Sequence, residues 1–156
     1  MREVVEAVAA AVGPERVGLR VTPGVTANGM HEDDPEEVYP ALVDALSDTG
    51  PAYLHVVFAD PDQPLFQRIR KQWAGTLIAN PALPWPGPLA ADGGRHEAER
   101  LLAAGADLVC LGRAFLANPD LVERLRAGAA LNPLREEGLM YVGGADGYTD
   151  YPALSA

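Results

Sequence analysis

The sequence is poor in cysteine, in aromatic residues and in positive charge. It has one cysteine among 156 residues, and 6% of its residues are aromatic. A single cysteine excludes an internal disulfide and a cysteine-based zinc site, and the place of Cys110 in an apolar run predicts that it is buried. Twelve basic residues against 22 acidic ones give a net charge of -10. This balance argues against charge-driven binding to nucleic acid or to an anionic membrane.

Long hydrophobic runs are also missing. No apolar stretch approaches the roughly 18 residues of a membrane span. Residues 1–12 combine acidic side chains with helical periodicity, which makes them a poor secretion signal. We therefore expect a cytoplasmic protein. With 48% hydrophobic residues, the composition is typical of a globular chain, and the length predicts a single domain over residues 1–156. Residues 132–156 are rich in glycine and tyrosine and predict an irregular tail.

Short apolar runs alternate with helical patterns along the chain. The apolar runs predict strands at 17–21, 52–58, 76–79 and 108–111. Helices are predicted over 1–12, from 34 to near 50, over 65–73 and 95–104, and after the Asn118-Pro119-Asp120 cap, with Pro40 expected to kink or delay the second. Nearly unbroken apolar strands between helices are typical of a parallel α/β sheet. Four such units are too few to close a (β/α)₈ barrel. Barrels of this kind bind phosphate after strands 7 and 8, so four units that end in a phosphate site would be the second half, strands 5 to 8.

Two neighbouring strand-to-helix turns carry glycine where parallel sheets bind ligands. One turn contains Gly93 and Gly94, and the other contains Gly112 and Arg113. Glycine allows close backbone approach to a ligand, and the arginine fork suits phosphate. A lone Gly-Arg pair is more often a tight turn with a surface arginine. Its position beside a second glycine turn favours a phosphate site.

Four segments of the chain resemble a known family. They are VGLRVTPGVTANGM (17–30), AYLHVVF (52–58), LGRAFLANPDLVERLRAGAALNP (111–133) and GYTDYP (147–152). Together they resemble the Old Yellow Enzyme family of FMN-dependent ene-reductases, and the likeness covers nearly the whole chain. It implies the C-terminal half of the barrel, with FMN as cofactor, NAD(P)H as a transient reductant and an activated alkene such as an enone as substrate.

The resemblance also implies roles for individual residues. Arg20 matches the arginine at the pyrimidine end of the flavin, where a positive charge stabilises the reduced form. The implied phosphate binders are Gly93, Gly94, Gly112 and Arg113. Tyr141 matches one of two aromatic residues near the dimethylbenzene edge, and Met140 replaces the other.

Two departures from the family pattern limit what the resemblance implies. Residues 81–91 separate the third strand from its glycine turn, so Asn80-Pro81 is an alternative phosphate turn. The family's His-His or His-Asn pair, which orients the substrate, lies on a strand with no counterpart here. We therefore assign no catalytic residue and expect a complementary half-barrel or self-association. The alternatives are an inactive half-barrel, a phosphate-ligand-binding module and, third, a flavodoxin-like fold.

The remaining candidate side chains have plain structural interpretations. His55 lies within a strand and is expected to be a core histidine with its hydrogen bonds satisfied. His31 lies in an acidic loop that is more typical of a solvated helix start than of a cation site. His96 is expected to be exposed, and Trp85 to pack the proline-rich insertion. No metal site is predicted.

Overall fold

The computed structural model describes residues 1–26, 29–84, 87–136, 139–142 and 144–154. The strands are β1 (Gly18–Val21), β2 (Tyr53–Ala59), β3 (Thr76–Pro81) and β4 (Leu108–Val109). The helices are α1 (Arg2–Val12), α2 (Pro35–Leu46), α3 (Pro64–Gln72), α4 (Arg95–Ala103), α5 (Gly112–Ala117), α6 (Leu121–Ala127) and α7 (Leu139–Val142). All four predicted strands are present, although β4 is shorter than expected. The predicted irregular tail contains the single-turn helix α7.

The four strands form one sheet in the order β1-β2-β3-β4, and every neighbouring pair is parallel. Parallel pairing requires a crossover between successive strands, and helices supply it here. The predicted parallel α/β arrangement is therefore confirmed. Among the described residues, no helix has the length and apolar character needed to cross a membrane.

The chain divides into two compact units. The first comprises Met1–Ala82 and Ala98–Cys110, and the second comprises Leu83–Glu97 and Leu111–Ala156. The sheet belongs to the first unit, whereas both glycine turns and helices α5 to α7 belong to the second. The single domain expected from chain length stays a prediction.

One face of the sheet forms the core of the first unit. Leu19, Leu54 and Leu77 lie in register on neighbouring strands, and Leu54 and Leu77 are fully buried. Burial of one such side chain contributes about 1.5–3 kcal/mol. Buried side chains of the helices complete this cluster, among them Val5, Val43, Leu46, Phe66, Ile69 and Leu101.

The opposite face of the sheet, here called the open face, carries exposed side chains. Tyr53 is 38% exposed and Leu108 is 54% exposed, which is unusual for large apolar residues of a parallel sheet. In a closed barrel the corresponding face is filled by packed side chains. The open face is made by Gly18, Arg20, Tyr53, His55, Ile78 and Leu108.

Helix α2 accommodates a proline in its interior. It begins at Pro35 and continues through Pro40, so the expected delay of its start is wrong. Pro40 has no N–H for the carbonyl of Glu36. That carbonyl instead accepts a hydrogen bond of 2.9 Å from Nη1 of Arg68.

The turn before β4 is tied to β3 by the carboxylate of Asp107. It accepts the backbone N–H of Leu77 at 2.8 Å and a hydrogen bond from Arg70 at 3.0 Å. These partners, chiefly the Leu77 N–H, hold the pKa of Asp107 below its ordinary value. Ionised Asp107 therefore stabilises the fold above about pH 4, and this contribution is lost as the pH falls further.

We expect Asp107→Asn to lower the free energy of unfolding at pH 7, because the amide accepts these hydrogen bonds more weakly. The difference from the wild type should shrink as the pH falls from 5 towards 3. Urea unfolding followed by circular dichroism at several pH values measures it. Asp48→Asn is the control variant, because it removes the same charge at another exposed site of the first unit. A deficit for Asp107→Asn that stays constant down to pH 3 would contradict this prediction.

Candidate functional site

The Gly112-Arg113 turn presents an open stretch of backbone. Helix α5 begins at Gly112, which is exposed. A Cβ added at Gly112 would meet nothing within 4 Å. Neither packing nor a left-handed backbone therefore requires glycine at this position, and the space beside it is compatible with close approach of a ligand.

The guanidinium of Arg113 is held by carbonyls of the proline-rich segment. Nη1 donates to the carbonyl of Gly87 at 2.7 Å, and Nη2 donates to the carbonyl of Pro84 at 2.6 Å. These terminal nitrogens are also the ones that a bidentate phosphate uses. A phosphate that binds Arg113 through this pair of nitrogens therefore competes with two backbone carbonyls.

The second glycine turn packs against the first, as predicted. A Cβ on Gly93 would lie 3.6 Å from Cβ of Ala114, and one on Gly94 would lie 3.2 Å from Cδ2 of Leu111. Leu111 and Ala114 flank Gly112 and Arg113 in the chain. The four predicted phosphate binders therefore come from two adjoining turns of the second unit.

Packing and backbone conformation account for glycine at Gly93 and Gly94. Both are buried, with φ values of 67° and 90°. An added Cβ would approach Leu131 to 2.7 Å at Gly93 and Leu83 to 2.8 Å at Gly94. These glycines are thus constrained by the fold, in contrast to Gly112.

The backbone N–H groups of the second turn already have acceptors. Gly93 donates to the carbonyl of Ala90 at 2.8 Å, and Gly94 donates to the carboxylate of Asp92 at 3.0 Å. The same carboxylate accepts the N–H of His96 at 2.8 Å, the largest cause of the lowered pKa of Asp92. An aspartate thus takes the position at the start of α4 that favours an anion. Phosphate binding by Gly93 and Gly94 stays a prediction.

The alternative phosphate turn lies inside a strand. Asn80 and Pro81 are the last residues of β3, and the side-chain amide of Asn80 donates to the carbonyl of Cys110 at 2.7 Å. Asn80 therefore ties the end of β3 to the residue that follows β4. Cys110, predicted to be buried, is half-buried.

Arg20 and His55 lie side by side on the open face. They are register partners on β1 and β2, and Arg20 is exposed. The pKa of His55 is lowered by burial first and by the charge of Arg20 second. Nε2 of His55 is buried without a hydrogen-bond partner. The expectation of a satisfied core histidine is therefore wrong.

The tail is organised around Arg135. Its Nη1 lies 2.6 Å from a carboxylate oxygen of Asp146 and 2.6 Å from one of Asp150. Both carboxylates therefore form ion pairs with Arg135, and over the described ranges no group of three potential metal ligands occurs.

Tyr141, the predicted flavin neighbour on α7, is 73% exposed, and Met140 beside it is half-buried.

The other singled-out side chains show no site geometry. His31 is exposed, and its Nε2 lies 3.1 Å from a carboxylate oxygen of Asp33. His96 is exposed, as expected, and lies 4.0 Å from the carboxylate of Glu97. The packing expected for Trp85 lies outside the described residues.

Sequence reasoning missed the residues that anchor the tail. Arg124 is 4% exposed and donates to Asp120 at 2.6 Å and to the carbonyl of Pro152 at 3.0 Å. Asn118, fully buried, accepts the N–H of Asn132 at 2.7 Å. The sequence does contain one indication that Arg124 is buried, because it lies three residues after Leu121 on the apolar side of α6.

Comparison with known proteins identifies the family. Residues 1–132 match the family model described as the NADH:flavin oxidoreductase / NADH oxidase family. The chain belongs to this family. It is 36% identical to 12-oxophytodienoate reductase 1 of Oryza sativa subsp. japonica, and the match covers 97% of this chain and 40% of that protein. It is 34% identical to a probable flavin mononucleotide-dependent alkene reductase of Leishmania infantum, with the same coverage.

Solved structures of the family show the same fold. Morphinone reductase in complex with tetrahydroNAD is 41% identical to this chain, with a TM-score of 0.81 over 98% of this chain and 40% of that one. The old yellow enzyme from Trypanosoma cruzi is 32% identical, with a TM-score of 0.80. The predicted part of a (β/α) barrel is therefore confirmed. The chain spans about 40% of the length of these solved relatives.

Alanine substitutions at Gly94 and Gly112 should show that the fold requires glycine at Gly94 and not at Gly112. We expect Gly94→Ala to lower the free energy of unfolding by about 2 kcal/mol, because alanine at positive φ costs 1–2 kcal/mol and Cβ meets Leu83. Gly112→Ala should leave stability unchanged or raise it by up to about 1 kcal/mol, because alanine favours the helix. Urea unfolding of both variants checks this. Equal losses would mean that packing also constrains Gly112.

Proposed function

We propose that this chain is the flavin-phosphate-binding part of an FMN-dependent oxidoreductase, in which NAD(P)H drives reduction of an activated alkene such as an enone. Family membership supports a flavin enzyme. The names of the relatives point to the remaining features, since one is described as a flavin mononucleotide-dependent alkene reductase and another binds tetrahydroNAD.

The open backbone at Gly112, followed by Arg113, is the observation that carries the proposal. A phosphate there receives a planar, permanently charged donor from Arg113 and the exposed backbone of Gly112. Gly93 and Gly94 contribute by packing tightly under the adjoining turn. They are compatible with phosphate only when it shares N–H groups that are already bonded.

Two further residues complete the proposed cofactor contacts. Bound FMN would supply the hydride-transfer chemistry. Arg20 would place its positive charge at the pyrimidine end of the flavin, and it is exposed on the open face. Tyr141 would contact the dimethylbenzene edge, and its exposure leaves the ring available.

We assign the orientation of the substrate to no residue of this chain. The match covers 40% of the length of 12-oxophytodienoate reductase 1 and of morphinone reductase, and we propose that a segment equivalent to the remaining part provides the substrate-polarising pair. That segment would be a complementary half-barrel, whereas self-association of this chain would cover the open face without supplying the pair. We place the protein in the cytoplasm. The exposed Tyr53 and Leu108 of the open face support such a partner.

A phosphate-ligand-binding module or inactive half-barrel is the alternative function. Of these two, the inactive half-barrel is favoured by the carbonyls of Pro84 and Gly87, because they already take the hydrogen bonds that Arg113 would donate to a phosphate. Flavin retention without NADPH oxidation, even after the complementary segment is added, would select the module.

We expect the purified chain to retain FMN after desalting, with its fluorescence quenched. Arg113→Gln should weaken binding about 10- to 100-fold, since a hydrogen bond to a charged group is worth about 1.5–3 kcal/mol. Arg126→Gln removes the same charge at an exposed position of α6 and should leave the Kd unchanged. Fluorescence titration measures both, and circular dichroism checks folding.

The rate of NADPH oxidation in the presence of an enone, measured on the same samples, tests whether they have the proposed enzymatic activity. If this chain retains no FMN, either alone or together with a complementary half-barrel, the proposed function is wrong. Equal weakening by Arg113→Gln and Arg126→Gln would remove the phosphate site from Arg113.

A further inference from the structure

Two polar side chains without partners adjoin each other on the open face. Within the described part of the chain, the side chain of Arg20 makes no hydrogen bond or ion pair. Nε2 of His55 is the one buried side-chain nitrogen or oxygen without a hydrogen bond among the same residues. The two residues are paired in register across β1 and β2, so both side chains point to the same side of the sheet.

A buried polar atom without a partner is costly, and folded proteins rarely retain one. The other buried polar side chains that we have described are satisfied, including Asn118 and Arg124. His55 differs from them because it faces the side of the sheet where exposed side chains lie. Nε2 is itself covered, so a partner that reaches it from the open face has to displace a neighbouring side chain, and exposed Arg20 is its register partner there.

The chemistry of the pair is that of a cation beside a neutral imidazole. Burial and the charge of Arg20 both lower the pKa of His55, so its ring is neutral at pH 7. A neutral imidazole offers one donor and one acceptor. The aligned neighbours of His55 on the far side, Ile78 and Leu108, are apolar. Arg20 is therefore the charged neighbour in this row.

We propose that His55 is a ligand-binding residue, whose Nε2 hydrogen-bonds a ligand that also pairs an anionic group with Arg20. The ligand class is a molecule that carries a negative charge next to a neutral carbonyl or N–H group. Arg20 supplies the charge, and His55 sets the orientation by a directed hydrogen bond. The assignment rests on the proposed function, in which that ligand is the pyrimidine end of FMN, whose carbonyl and N–H groups are already present in the oxidised flavin and whose negative charge appears on reduction.

Histidine NMR tests the state of the ring before any ligand is added. In the chain labelled with ¹⁵N-histidine, we expect the pKa of His55 to lie below the ordinary pKa of a histidine side chain. Titration of His55 at or above that ordinary value would overturn the assignment, since its ring would then be solvated.

Addition of FMN tests the contact itself. The Nε2 resonance of His55 should shift, while that of His31, which lies outside both glycine turns, stays in place. His55→Leu should weaken FMN binding about 3- to 10-fold, the effect of losing one neutral hydrogen bond. His55→Gln, which keeps a donor and an acceptor, should bind within about 2-fold of the wild type. His31→Gln is the matched control and should have no effect.

The outcomes separate this assignment from the proposed function. Wild-type affinity in His55→Leu, or an unmoved Nε2 resonance in a chain that binds FMN, overturns the assignment alone. Equal weakening by leucine and glutamine also overturns it, because volume rather than hydrogen bonding would then explain the loss. A wild-type chain that retains no FMN removes the proposed function and this assignment with it.

Discussion

Packing of Leu19, Leu54 and Leu77 against the helices determines which side chains of the sheet can face the other way. Side chains alternate along a strand, so the leucines that enter the core place their neighbours on the open face. Arg20 and His55 are such neighbours. A shift of one residue in β1 would bury Arg20 and expose Leu19. The register of the sheet therefore depends on the same leucines that stabilise it.

The second unit positions its residues by different means. Its glycine turns meet through contacts of Gly93 and Gly94 with leucine and alanine side chains, and its tail is anchored by Arg124 and Asn118. Arg124 is buried with its charge hydrogen-bonded to a carboxylate and two carbonyls. Removing one member of such a network leaves buried polar groups unsatisfied, which costs far more than losing a surface ion pair. The anchoring of the tail therefore depends on a few side chains.

Periodic patterns made much of the fold predictable. Apolar runs located the four strands, and the Asp34-Pro35 pair located the start of α2, because both signals are local. The neighbouring glycine turns followed from the order of a parallel sheet. The pairing of Asn80 with Cys110 and of Arg113 with Pro84 joins residues about 30 positions apart. Such contacts depend on three-dimensional loop paths, which composition and periodicity do not encode. The unsatisfied Nε2 of His55 likewise appears only once its neighbours are placed.

The hydrogen bonds from Arg113 to the carbonyls of Pro84 and Gly87 matter for the stability of the second unit as well as for ligand binding. A half-buried guanidinium without acceptors would destabilise the unit that contains it, yet here its terminal nitrogens are hydrogen-bonded within the chain. The positive charge is thus compensated by dipoles whenever no anion is present. Ligand binding at Arg113 becomes an exchange of acceptors, so the observed affinity reports the difference between phosphate and two peptide carbonyls. A phosphate is therefore not needed to satisfy these two nitrogens of Arg113.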